Sequence, residues 1–146
     1  MSFTNVVVGT DGSPSADKAV ETAAALVRLS GGELHIVTAF HPSGGGLGAA
    51  SGAALAETGA SAAYQQEVAR NVAEKAAANW GEGLRTHTYA EMRAPAEAIV
   101  TVAADRGADL IVVGSKGMRG ARRVLGSVPN SVAHSAGCTV LVVKTD

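Results

Sequence analysis

Apolar residues along this chain fall into short unbroken runs separated by longer stretches in which they recur every three or four positions. Runs at 6–8, 110–113 and 140–143 are apolar throughout, the pattern of strands covered on both faces, as in a parallel sheet. Strands are predicted at 5–10 (NVVVGT), 33–40 (ELHIVTAF), 84–89 (LRTHTY), 109–114 (DLIVVG) and 138–144 (CTVLVVK). LRTHTY alternates instead, as an edge strand with one wetter face does.

Helical spacing occupies the intervals. Ser13 is placed to cap a helix with Pro14 at its first position, where the missing N–H is no loss. Val20, Ala23, Ala24 and Val27 make its apolar face, and Gly31-Gly32 ends it. A second helix over roughly 60–80 carries Val68, Val72 and Ala76 along one stripe. A third begins near Pro95, gathers Ala96, Ile99, Val100 and Ala103, and stops before Gly107. The last opens near Ser127, with Val128, Val132 and Ala136 facing inward.

Strands alternating with helices of this length imply right-handed parallel crossovers. The expected fold is α/β and Rossmann-like, a five-stranded parallel sheet with helices on both faces, and that class brings the common strand order 3-2-1-4-5. Residues 1–146 read as one domain without internal repeats. The segment 41–59 is rich in Gly, Ala and Ser and reads as a loop.

Composition narrows the function classes. The 146 residues include 12 basic and 13 acidic ones, for a net charge of −1, which argues against nucleic acid or an anionic membrane as partner. Cys138 is the single cysteine, so no internal disulfide forms and a reducing compartment is the natural setting. The start MSFTNVVVGTDGS has no signal-peptide core, and no run reaches the ~20 apolar residues of a membrane span. A cytoplasmic protein is expected.

Positive charge is concentrated locally. The stretch GSKGMRGARRVLGS (114–127) holds Gly114, Gly117, Gly120 and Gly126, the cations Lys116, Arg119, Arg122 and Arg123, and no acid. Glycines allow close backbone approach, and the helix that follows at Ser127 offers amides and a dipole that favour an anion. A phosphate suits this loop; a solvated surface loop in which Ser127 merely caps its helix is the bland alternative. In an open parallel sheet, ligands bind beyond the carboxyl ends of the strands where the winding reverses. The segments VVVGTDGS and VVGSKG lie at two such ends. Neither a G-x-x-x-x-G-K-[ST] loop nor a G-x-G-x-x-G after the first strand is present.

Both chain ends, VVVGTDGSPSADKAV and DLIVVGSKGMRGARRVLGSVPNSVAHSAGCTVLVVK, resemble the universal stress protein family, and the resemblance runs over essentially the whole chain. Nucleotide-binding members carry G-x2-G-x9-G-[ST]. Gly114, Gly117, Gly126 and Ser127 match it, with eight residues instead of nine between Gly117 and Gly126. The resemblance implies an adenine-nucleotide site, usually for ATP, with Mg2+ or Mn2+ accompanying the nucleotide. It puts Asp11 and the Gly9-Thr10 backbone near ribose and adenine, and the chain at Ala39 against adenine. Gly114, Gly126, Ser127 and Val128, with the loop residues Ser115, Lys116, Gly117, Met118, Arg119 and Gly120, then wrap ribose and phosphates. Asp11 before glycine is also ordinary turn chemistry. Members of the family often dimerise through the last strand. The sequence points the same way, because Thr139 to Val143 form an apolar strand at a sheet edge, where an uncovered edge invites pairing with a second copy.

Other polar residues suggest little chemistry. His134 follows Ser127 by two helical turns, ~10 Å, too far for a triad with Ser127 and Asp11. His35 and His87 have no neighbours at metal-ligand spacing and read as structural, and His41 stands at the mouth of the expected site. Cys138 reads as a small buried hydrophobe, Trp80 as packing at the core edge, and Arg93 as solvated, although the family often has Gly there.

These residues favour binding over turnover. Phosphoryl transfer needs a positioned nucleophile and a held metal, and near the loop only Asp11 and Ser127 qualify, so at most slow ATP hydrolysis is expected. The leading reading is a homodimeric, ATP-binding regulatory module of the stress response with no catalytic residues. A weak ATPase using Asp11 for magnesium, a cyclic AMP-binding member suited by the shorter loop, and an interaction protein without nucleotide are the alternatives.

Overall fold

Val6, Val7 and Val8 are all completely buried, because the strand that carries them has helices on both sides. The computed structural model of the chain describes residues 2–41, 60–115 and 126–145. The loop expected over 41–59 therefore lies, beyond His41, outside the described residues. In chain order the elements are β1 (Asn5–Gly9), α1 (Pro14–Ser30), β2 (Glu33–Phe40), α2 (Ala60–Trp80), β3 (Arg85–Met92), α3 (Pro95–Asp105), β4 (Leu110–Gly114), α4 (Ser127–Ser135) and β5 (Thr139–Val143).

The five strands form one sheet in the order β3-β2-β1-β4-β5, every pairing parallel. This is the expected order. The chain winds outward from β1 to β3, then returns to place β4 against the other side of β1, so the winding reverses between β1 and β4.

Side chains alternate across the sheet. Val6, Val8, Leu34, Ile36, Leu110 and Val112 face α1 and α2. Val7, Val37, Ile111 and Val113 face α3 and α4. Ser13 caps α1 as expected, its hydroxyl accepting from the Ala16 N–H at 3.2 Å. Gly31 ends that helix in the left-handed region at φ 74°, its N–H reaching the Val27 carbonyl, a conformation glycine adopts freely.

Two details depart from the sequence reading. The buried stripe of α2 is Ala69, Ala73 and Ala76; Val68 and Val72 are half-buried flanks. Alanine lets the helix lie close to the sheet, and the bulkier valines fit at its margins. β3 starts one residue later than predicted and runs to Met92 instead of 89, because Ala90, Glu91 and Met92 pair with Thr38, Ala39 and Phe40. Both outer strands are partly open to solvent, and Leu141 of β5 is 37% exposed.

Candidate ligand site at the β1–β4 crevice

The carboxyl end of β1 turns sharply. The Thr10 N–H donates to the Val37 carbonyl at 2.9 Å, holding the chain against β2 as it leaves the sheet. The Thr10 hydroxyl accepts from the Gly12 N–H at 3.1 Å, and Asp11 Oδ1 accepts from the Ser13 N–H at 2.9 Å. Gly12 has φ 83°, which such a turn takes most easily as glycine. The turn delivers the chain to the Ser13 cap, so the start of α1 faces the crevice. Asp11 thus has the turn role its sequence context suggested, and it also lines the cavity.

A cavity of about 510 Å³ opens here. Of the residues named from sequence, it gathers Gly9, Thr10, Asp11, Ala39, Gly114 and the α4 start, Gly126, Ser127 and Val128. Lys116, Gly117, Met118, Arg119 and Gly120 lie outside the described residues. Ser115 is not in the wall. It is 1% exposed, and its hydroxyl accepts from the Thr145 N–H at 3.1 Å, which engages it with the chain that follows β5.

The sequence reading missed several lining residues. Ser13, Ser15 and Ala16 come from the first turn of α1, and Pro95 and Ile99 from that of α3. Their positions were accessible from the predicted helix starts, since all helices of a parallel sheet begin at its carboxyl edge. Val37 and Val113 carry no such signal, nor does Thr145.

The cavity changes character along the sheet. On the β2 side its walls are Val37, Ala39, Pro95 and Ile99. On the β4 side they are Val113, Gly114, Thr145 and the start of α4, from Gly126 to Pro129. Gly126 occupies the N-cap of α4, and among the described residues no side chain caps that helix. Ser127 is the first helical residue, so the N-cap role read for it from the sequence falls to Gly126 instead. Helix geometry leaves the Ser127 and Val128 amides without intrahelical partners, while the Asn130 N–H already donates to the Gly126 carbonyl at 3.1 Å. Amides in this position, with the helix dipole behind them, suit an anion.

Asp11 is the one carboxylate lining the cavity among the described residues. These residues hold no cluster of three or more His, Cys, Asp or Glu able to bind a metal. Arg93 does not line the cavity; its guanidinium pairs with Glu97 at 3.0 Å and Glu91 at 3.7 Å. The Cys138 thiol is pushed above its usual range, first by burial and then by the negative charge of Asp109, the opposite of what a reactive cysteine needs.

The model of the Universal stress protein family matches residues 2–144. The chain belongs to the universal stress protein family. Universal stress protein Rv1636 of Mycobacterium tuberculosis strain H37Rv is 34% identical over 147 residues, covering 98% of this chain and 97% of that protein. A universal stress protein solved in complex with cAMP is 32% identical, with complete coverage of both chains and a TM-score of 0.67. The structure of MJ0577 shares the fold at 24% identity and a TM-score of 0.76, with 100% of this chain and 99% of that one covered.

Proposed function

We propose that the crevice binds an adenine nucleotide, ATP in the first instance, and that the chain works as a nucleotide-dependent regulatory module. The observation that carries this reading is the start of α4, which no described side chain caps, lining one cavity with Gly114 and with apolar residues of β2 and α3. An apolar slot suits a base and a free helix start suits phosphate, and the two stand at opposite ends of one cleft. The family relative in complex with cAMP supports an adenine ligand. ATP is preferred over cyclic AMP because of the four cations in the 114–127 loop.

Asp11 alone among the described lining residues offers a carboxylate, so Mg2+ or Mn2+ would enter held chiefly by the phosphates themselves. With no second acid or base at the described walls, the reading is binding with at most slow hydrolysis. A homodimer formed through β5, a cytoplasmic setting and a part in stress response complete the proposal. The half-exposed Leu141 on an apolar edge strand supports the first of these.

Titration calorimetry of nucleotide-free protein with ATP and cyclic AMP tests the reading. Gly126 has φ −62°, open to any residue, so Gly126→Val alters proximity to the ligand without straining the backbone. ATP binding that is lost in Gly126→Val is expected. A preference for cyclic AMP changes the ligand but keeps the site, and no binding of either turns the chain into a pure interaction protein.

A further inference from the structure

After β5 the backbone bends back over the end of β4. The Ser115 N–H donates to the Val143 carbonyl at 2.8 Å, and the Thr145 N–H donates to the Ser115 hydroxyl at 3.1 Å. From α1, the Lys18 ammonium donates to the Thr145 carbonyl at 3.3 Å. Thr145 is thus held from both sides through its own backbone and is 5% exposed, yet it forms part of the cavity wall. Its side chain lies across Gly114: a Cβ placed on that glycine would stand 2.9 Å from the Thr145 methyl and 3.7 Å from its hydroxyl. The absent side chain at 114 is therefore what admits Thr145.

We propose that Thr145 is a ligand-binding residue of this site, contacting the phosphate end of the nucleotide, and that Ser115 and Lys18 are positioning residues that hold it there. The inference rests on the adenine-nucleotide reading above. Its placement on the side of the crevice away from the apolar β2 walls follows from the strand order. The apolar walls Val37 and Ala39 belong to β2, on one side of β1, while Thr145 follows β5, beyond β4 on the other side. A nucleotide with its base among the apolar residues and its phosphates at the α4 start extends toward Thr145. The residue after β4 and the chain after β5 therefore bring together two hydroxyls with separate duties. That of Ser115 is consumed internally, and that of Thr145 is offered to the ligand. The carbonyl of Thr145, fixed by Lys18, keeps a cation at the same end of the cleft.

The test compares ATP, AMP and adenosine affinities by calorimetry for the full chain and for Thr145→Val, Thr145→Met and Ser115→Ala, with thermal melting of each. Thr145→Val keeps the shape and removes the hydroxyl, so ATP and AMP affinity should fall about three- to tenfold, the worth of one hydrogen bond, with adenosine unchanged. Thr145→Met, which fills the phosphate end, should weaken ATP further while sparing adenosine. Ser115→Ala should lower the ratio of ATP to adenosine affinity, which a loss of general stability does not do. If Thr145→Met does not fold, the near-isosteric Thr145→Val decides. ATP affinity unchanged in Thr145→Val, or an equal loss for all three ligands, overturns the assignment while leaving the nucleotide reading intact. Failure of the wild-type chain to bind any of the three overturns both.

Discussion

His35 of β2 stacks on His87 of β3, their rings 4.8 Å apart and 13° from parallel. The buried ring is fully engaged: Nε2 meets Asn5 Oδ1 at 3.1 Å and Nδ1 meets the Tyr89 hydroxyl at 2.9 Å. With the amide oxygen of Asn5 as acceptor, Nε2 carries the proton and Nδ1 accepts from Tyr89, an arrangement of the neutral imidazole. His87 in turn meets Glu33 Oε1 at 2.8 Å, and the Arg106 guanidinium sits 5.2 Å from the centre of the Tyr89 ring.

Burial, then the neighbouring His87, holds the His35 pKa below its ordinary value, with Arg106 acting the same way and Glu33 opposing. The folded state therefore resists a proton that the unfolded chain accepts. Stability should fall as pH drops below the unfolded value of about 6.5 and stop falling beneath the folded pKa, with a slope of at most about 1.4 kcal/mol per pH unit from this residue. Denaturant unfolding of the wild type and His35→Gln between pH 7.5 and 5 checks this. The variant should be less stable at pH 7.5 yet lose less on acidification; equal slopes would remove His35 as the cause. Glu33 adds a separate loss at lower pH, because its hydrogen bond from His87 lowers its pKa below 4.5.

Asp109 ties together the beginnings of β1 and β4. Its carboxylate accepts from the Thr4 N–H at 2.8 Å and the Asn5 N–H at 3.2 Å, and its own N–H donates to the Asn5 carbonyl at 3.0 Å. Asp109→Ala removes two hydrogen bonds to a charged acceptor and should cost about 1–3 kcal/mol in chemical denaturation. Because this end of the sheet is opposite the crevice, nucleotide affinity should be unaffected.

Gly9 and Ile99 meet at the cavity floor. A Cβ at position 9 would fall 2.5 Å from Ile99 Cδ1, the tip of a flexible side chain, so Gly9→Ala should fold with Ile99 displaced, at a cost of roughly 1–3 kcal/mol. Displacement of a lining residue should also weaken ligand binding. Pairing Gly9→Ala with Ile99→Val should recover part of both, and no recovery would mean the contact is not the cause.

At the β5 edge, Leu141→Lys places a charge on the surface proposed to pair two copies. Sedimentation velocity should show a wild-type dimer and a variant monomer of unchanged helix content. A wild-type monomer would refute the dimer, and a variant that stays dimeric would move the interface elsewhere.

The elements themselves were legible in the sequence because their causes are local. The all-apolar runs of β1 and β4 report burial on two faces, Ser13-Pro14 and Gly31 mark the limits of α1, and Gly9 to Asp11 mark a turn at a carboxyl edge. Those signals were enough to place the crevice and about half of the described residues around it. The α2 stripe was misread because Val68 and Val72 outrank alanine in hydrophobicity, whereas close packing against the sheet selected Ala69 and Ala73.

What the chain's own sequence determined, then, is the set of strands, helix starts and turns, each decided by residues within a few positions of one another. Which side chains meet was decided only by the tertiary structure. His35 and His87 are 52 residues apart, and only the register of β2 on β3 stacks them. Ser115 and Thr145 are 30 residues apart, joined only because β5 lies beside β4 and the chain then bends over Gly114. Register and the path beyond a strand follow from the packing of the whole sheet, which no local pattern of hydrophobicity encodes.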